Sequence, residues 1–237
     1  MRSIILAGCL AVFAPLFLCD APAAALRLGA DFSSQQYTVV IRSTKGICTG
    51  VVMEQNIVLT AAHCAQDAQN LWIGGHPGWG DLSTPPVGLS PVLEVVQHPR
   101  YIAPQSDHDL ALLKLAKPLP DRFIPASFGG YVPHDGDGLI VTGYGESFTN
   151  DPNAGTVLRM TLLRASGDAA GYLTLISPNE EPRGASRGDS GGPVFAYRGL
   201  HALVGIVVAG FPHKTIAVLV APHYVWIKDT IEKLNAR

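Results

Sequence analysis

Between residues 37 and 220 nearly every apolar run is short, rich in β-branched residues, and closed off by Gly or Pro. Runs at 37–41, 47–53, 57–60, 92–96 and 110–115 come first. A stretch from Pro118 to Pro133, with four prolines and a Gly-Gly pair, reads as a linker. Runs at 139–142, 157–163, 193–196, 202–208 and 216–220 follow it. Segments of this length and composition, bounded by turn residues, are strands. Glu54-Gln55-Asn56 reads as a turn, Ala61–Ala65 as a short helical turn, and 74–91 as a Gly- and Pro-rich loop. Only the C-terminus has a helical period, with Tyr224, Ile227, Ile231 and Leu234 on one face and Lys228, Asp229, Glu232 and Lys233 elsewhere. The pattern predicts an all-β chain in two antiparallel units, closed by a helix that covers a core edge. It leaves barrel and sandwich open.

The length of 237 residues is enough for such a pair of units. A net charge of −2, with 15% charged residues, gives no electrostatic reason to expect nucleic acid or an anionic membrane as partner. Residues 1–25 stand outside the fold. Arg2 supplies a basic start, Ile4 to Leu18 an apolar stretch, and Ala21-Pro22-Ala23-Ala24-Ala25 a small-residue cleavage site after Ala23 or Ala25. This is the pattern of a secretory signal peptide, and its apolar run falls short of the roughly 20 residues a bilayer span needs. Leu6-Ala7-Gly8-Cys9 resembles a lipidation box only superficially, since it sits too early in that run. The expected location is extracellular, or periplasmic in a bacterium, with no membrane attachment once the signal is removed.

Export changes the cysteine count. Cys9 and Cys19 leave with the signal, and Cys48 and Cys64 remain. In an oxidising compartment a lone pair is a disulfide, and closing a loop this size contributes about 3 kcal/mol. These two cysteines and His63 are too few for a metal site, and no CxxC or HExxH pattern exists, so no metal is expected.

The stretch Gly188-Asp189-Ser190-Gly191-Gly192-Pro193 carries the chemistry. Glycines around a hydroxyl let the backbone approach a substrate and turn its N–H groups toward it. Such a hydroxyl needs a base, and the base needs an acid that fixes its tautomer. His76, His98, His134, His201, His213 and His223 lie in loop-like contexts, where a lone histidine is usually a surface or structural residue. His63 follows Thr60-Ala61-Ala62 at a strand end and precedes Cys64. Asp109 opens the apolar run Leu110-Ala111-Leu112-Leu113, where a strand mouth can desolvate and aim it; neighbouring Asp107 and His108 lack that setting.

Thr60-Ala61-Ala62-His63-Cys64, Asp109-Leu110-Ala111-Leu112-Leu113 and the Ser190 stretch together resemble the three motifs of chymotrypsin/trypsin-type serine proteases. His98-Pro99-Arg100-Tyr101 and Val141-Thr142-Gly143-Tyr144-Gly145 are smaller echoes, and the similarity runs from about residue 37 to the end. The resemblance implies two six-stranded antiparallel β-barrels and a C-terminal α-helix, one barrel over 28–120 and the other over 121–237. It implies a serine endopeptidase without a cofactor, using His63, Asp109 and Ser190, with the N–H groups of Gly188 and Ser190 as oxyanion hole. It implies the Cys48–Cys64 bridge, polypeptide substrates, protein inhibitors as a second partner class, and a monomer. The nucleophile-elbow order Ser, acid, His cannot be built, because no Asp or Glu lies between Ser190 and His223.

Four departures qualify that family pattern. Gly184, six residues before the serine, stands where the trypsin branch has the Asp that selects Arg or Lys, so a small or apolar side chain is expected there. Gly210 and Thr215 are expected to line the same pocket, with Arg187 at its rim. Ser186 replaces a cysteine of the usual pocket disulfide, and Val208-Ala209-Gly210 replaces Ser-Trp-Gly, which leaves Asp109 without a supporting hydroxyl. No Ile-Val-Gly-Gly start exists; Arg27-Leu28-Gly29-Ala30 is the nearest equivalent. Removal of a short propeptide, residues 26–27, is expected to free Leu28 as an ammonium that pairs with Asp189, as in a zymogen.

Overall fold

The computed structural model describes residues 34–75, 88–104, 107–146, 158–169, 171–179, 181–197 and 202–237. The expected signal peptide and Leu28 lie outside the described residues, as do His76 and His201. Among the described residues twelve strands form two closed antiparallel barrels. The first contains β1 (Thr38–Ser43), β2 (Gly46–Glu54), β3 (Ile57–Thr60), β4 (Trp72–Gly74), β5 (Ser90–Gln97) and β6 (Ala111–Leu115), in the order β1-β2-β3-β6-β5-β4. The second contains β7 (Gly138–Gly143), β8 (Arg159–Ala169), β9 (Tyr172–Ile176), β10 (Pro193–Ala196), β11 (Leu203–Phe211) and β12 (Lys214–Leu219), in the order β10-β11-β12-β9-β8-β7.

The fold resolves what the pattern left open: each sheet closes on itself, which removes every edge. Two strands are missing from the ten that the pattern marks. β4 is three residues of a single turn-flanked run, too short to show a period. β9 alternates, with Leu173 and Leu175 buried, but its five residues follow the polar, Gly-containing stretch 164–171, into which β8 itself extends to Ala169 beyond the expected run. Val39, Ile41, Val52, Val58, Leu113 and Phe123 fill the first barrel, and Leu139, Leu163, Leu173, Leu175, Val194 and Val204 the second. Each such side chain contributes about 1.5–3 kcal/mol relative to exposure.

The stretch 118–133 is not a free linker. Leu119, Phe123 and Ala126 are buried, and the N–H groups of Leu119, Ile124 and Ala126 donate to the carbonyls of Gln55, Gln36 and Val52. Its apolar residues strap it to the first barrel before Ser127 accepts from Leu203 N–H on the second. The helix α1 (Tyr224–Asn235) buries Ile227, Thr230, Ile231 and Leu234. Tyr224, expected on that face, sits at the helix start and stays 37% exposed, packing on Phe128 instead. Lys114 Nζ on β6 donates to the Leu234 carbonyl at 2.7 Å, so the last helix of the chain is tied to the first barrel.

Candidate active site

β3 and β6 are neighbours, with Thr60 opposite Ala111. The residues just past the end of β3 and just before β6 therefore emerge side by side. They are the 3₁₀ turn Ala62–Ala65, which carries His63, and Asp109. The Asp109 carboxylate is 4% exposed and takes both its bonds from His63: Oδ1 accepts the backbone N–H at 2.9 Å, and Oδ2 pairs with ring Nδ1 at 2.7 Å. A carboxylate only accepts, so Nδ1 carries the proton and Nε2 keeps its lone pair. Among the described residues both hydrogen bonds to the Asp109 carboxylate come from His63.

Ser190 comes from the loop before β10. Its carbonyl accepts Thr49 N–H from the first barrel at 2.8 Å and lies 3.6 Å from Sγ of Cys64, the residue after His63. The serine loop is thus seated on the strand and the disulfide that flank the histidine, Cys48 being joined to Cys64. The glycines make this approach possible. A Cβ on Gly191 would come within 2.0 Å of Thr60 Oγ1 and 2.2 Å of the Thr49 carbonyl. Gly188 has φ +98°, a region that favours glycine, and its carbonyl accepts Thr49 Oγ1 at 2.8 Å.

Within the loop, Asp189, Gly191 and Gly192 donate their N–H groups to Ser186, Val207 and Asp189 carbonyls. Among the described residues the N–H groups of Gly188 and Ser190 have no acceptor. They are the two N–H groups that the family resemblance assigns to an oxyanion hole.

Asp189 faces the other way. Oδ1 accepts Gly145 N–H at 2.8 Å, and Oδ2 accepts Ser186 N–H at 2.8 Å. Burial pushes its carboxyl up, against those bonds and the more distant Arg159 charge. A Cβ at Gly143 or Gly145 would approach its carboxyl within 2.2 or 2.4 Å, so the Gly143-Tyr144-Gly145 echo is the cradle of this acid.

Three of the four expected pocket residues lie together. Gly210 pairs with Thr215 across β11 and β12, and Ala185 N–H donates to the fully buried Thr215 Oγ1 at 2.8 Å. Gly184 N–H donates to the Pro212 carbonyl, and a Cβ there would meet the Phe211 carbonyl at 1.9 Å. The segment 184–185 is stitched to the β11–β12 hairpin, with no room for a side chain at 184 unless backbone moves. Thr215 is fully buried and its hydroxyl is spent on the Ala185 N–H. Arg187 is exposed, and its carbonyl accepts Glu146 N–H. On the opposite side a groove of 110 Å³ starts at His63 and runs past Cys48, Cys64 and Ile41.

Thr49 escaped the sequence reading. It is fully buried between the barrels, donates to the Gly188 carbonyl, accepts Tyr144 N–H at 3.0 Å, and holds Ser190 through its own N–H. A threonine after a disulfide cysteine in a strand carries no signal of that role.

Comparison with known proteins now bears on this geometry. The family model described as Trypsin matches residues 29–227. The chain belongs to the trypsin family. It is thereby a serine endopeptidase of chymotrypsin-like fold. Among curated relatives, Kallikrein-1E2 of Equus caballus is 30% identical over 211 residues, covering 78% of this chain and 80% of that one. Kallikrein 1-related peptidase b27 of Mus musculus is 27% identical over 231 residues, covering 85% and 86%. Among solved structures, mouse neuropsin, a serine protease, superposes with TM-score 0.67 at 24% identity, covering 84% and 95%. The scabies mite inactivated protease paralogue S-I1 also reaches TM-score 0.67, at 25% identity, covering 85% and 97%. This trypsin-family chain thus shares its fold with a protease and with a paralogue described as inactivated, so its own residues must decide between those states.

Proposed function

We propose that this chain is a secreted endopeptidase that cuts peptide bonds with His63, Asp109 and Ser190 through an acyl-enzyme. The observation that carries this reading is the His63–Asp109 pair at 2.7 Å, with a buried acid devoted to one histidine. Ser190 Oγ attacks the scissile carbonyl carbon while its proton passes to His63 Nε2. The carbonyl oxygen becomes an oxyanion that accepts from the N–H groups of Gly188 and Ser190, each such donor being worth about 3–4 kcal/mol of barrier. The C–N bond then breaks, and His63 gives the proton to the leaving amine. Water, deprotonated by His63, releases the acid and restores Ser190. Asp109 remains ionised throughout and stabilises the imidazolium.

Substrate backbone pairs with the exposed end of β11 near Gly210, and the leaving side occupies the groove along the disulfide. The glycine at 184, packed against the Phe211 carbonyl, supports a small or apolar side chain before the scissile bond rather than Arg or Lys. Export rests on the signal-like residues 1–25 and agrees with the Cys48–Cys64 bridge. Activation follows cleavage after Arg27, with the Leu28 ammonium meeting Asp189.

The second reading is a non-catalytic binding module, favoured by the equal likeness to an inactivated paralogue. Peptide-library cleavage by the wild type and the Ser190→Ala variant separates the two. Cleavage that vanishes in the variant, with small or apolar residues before the cut, fits the endopeptidase. Cleavage that survives it would refute the triad.

A further inference from the structure

A pocket of 370 Å³ opens on the outer face of the second barrel, with Tyr131, Asp137, Gly138, Leu162, Arg164 and Tyr197 in its lining. Its floor is a gap in a row of side chains. Gly138 on β7 pairs with Arg164 on β8, and the Gly138 carbonyl accepts Tyr197 N–H, just past β10, at 3.1 Å. Gly138 offers no side chain to this row, and a Cβ there would touch Tyr197 and Leu162 at 3.5 and 3.6 Å. β7 runs about 17 Å from Gly138 to Gly143, the residue that cradles Asp189, so the pocket is not the catalytic cleft.

We propose that this pocket binds a free α-amino acid with an apolar or aromatic side chain, its carboxylate on Arg164 and its ammonium on Asp137.

The two charges carry the argument. Arg164 is exposed, and its Nη1 donates to the Gly136 carbonyl at 3.0 Å, which orients the guanidinium. Among the described residues it has no carboxylate partner, so its remaining N–H groups face a ligand. A guanidinium edge matches a carboxylate in two parallel bonds. Asp137 Oδ2 accepts the Tyr131 hydroxyl at 2.8 Å and His134 N–H at 2.8 Å, with the His134 ring 3.8 Å away. The His134 N–H bond, then the Tyr131 bond, hold its carboxyl below the usual range, so it is an anion at neutral pH. Its Oδ1 has no donor among the described residues.

Opposite charges that line one pocket without pairing with each other suit a ligand that carries both. A lone carboxylate would meet Asp137 as a like charge, and a lone ammonium would meet Arg164 in the same way. Tyr131, Tyr197 and Leu162 supply apolar surface to the same space, and the bond to Asp137 pins the Tyr131 ring as one wall. The volume of 370 Å³ stands at the small end of the range of about 300–1,000 Å³ for ligand pockets, as a single amino acid requires. The site shares no residue with His63, Asp109 and Ser190, so it stands apart from the triad reading above.

The test titrates Ser190→Ala protein with L-phenylalanine and follows the backbone amide resonances by NMR. Saturable one-site shifts are expected at Gly136, Gly138 and Arg164, and none at His63. N-acetyl-L-phenylalanine lacks the ammonium and L-phenylalaninamide lacks the carboxylate, and each should bind about tenfold more weakly. In Arg164→Gln, the free amino acid and its amide should bind equally, a result that a general loosening of the pocket would not give. Gly138→Leu builds a side chain on the floor and should abolish the shifts; Arg164 is exposed, so its variant remains informative even if the glycine variant misfolds. No saturable shifts, shifts at His63 in place of Gly138, or equal affinity for all three compounds would overturn the site. Weakening by amidation alone, with acetylation tolerated, would overturn the free amino acid and give a peptide C-terminus as the occupant.

Discussion

Two acids mark the two halves of this active site, and their surroundings differ. Asp109 belongs to the first barrel, is buried, and spends both oxygens on one histidine whose ring can become a cation. Asp189 belongs to the second barrel, is cradled by Gly143 and Gly145, and takes neutral N–H donors from Gly145 and Ser186. Burial pushes the Asp189 carboxyl up despite those bonds. One acid has its histidine in place; the other, in the proposed activation, receives the Leu28 ammonium. On the proposed function, the contrast separates catalysis from activation. It also explains why the loop from Ser186 to Gly192 is so dense in glycine, since Asp189 and Ser190 must pack against opposite surfaces.

The largest effect is expected at the completed acid. Asp109→Asn presents an amide to His63 Nδ1 and reverses the tautomer, so kcat should fall about 10⁴-fold with KM little changed. A fall below about tenfold in steady-state kinetics would mean that His63 does not depend on Asp109.

The next effect is at the receiving acid. Asp189→Asn in a chain beginning at Leu28 should lower kcat on the order of 10²-fold, because the loop that aims the Gly188 and Ser190 N–H groups loses its anchor. The same contrast has a pH signature. A carboxyl raised in the folded state binds its proton more tightly there than when unfolded, so its contribution is present below about pH 4 and lost as pH rises. A chain that keeps the two residues before Leu28, and so begins at Leu26, should therefore lose stability from about pH 4 upward relative to one beginning at Leu28, whose ammonium restores the anion. Parallel thermal melts of the two chains would contradict the pairing.

A smaller effect is expected where the halves meet. Thr49→Val keeps the shape but removes the donor to the Gly188 carbonyl and the acceptor for Tyr144 N–H. Leaving those buried groups unmet should cost about 1–3 kcal/mol in denaturant unfolding, and should lower kcat more than it raises KM. An unchanged kcat would show that Ser190 is positioned from its own barrel alone.

The sequence carried the motifs and most strands because strand formation here is local: β-branched runs, a two-fold alternation and glycine or proline stops. Barrel closure was not local, and only the family likeness supplied it. β4 was too short to show alternation, and the 118–133 stretch looked like a linker because its prolines outweighed Leu119 and Phe123, whose burial depends on the barrel beside them. At the site, His63, Asp109 and Ser190 were legible as residues in characteristic company. Thr49 was not, since its role comes from a cross-barrel contact with a residue far along the chain. The burial of His98, His108 and His223 was hidden for the same reason: each looks like a lone loop histidine until the helix start is folded against the acid loop.

The central claim is that Ser190 is a hydroxyl activated by His63. Incubating the chain that begins at Leu28 with a fluorophosphonate and mapping the product by mass spectrometry measures that directly. The account predicts one adduct per chain, on Ser190 Oγ, formed quickly in the wild type and very slowly in His63→Ala. No adduct, an adduct on another residue, or equal labelling of the His63→Ala protein would contradict it.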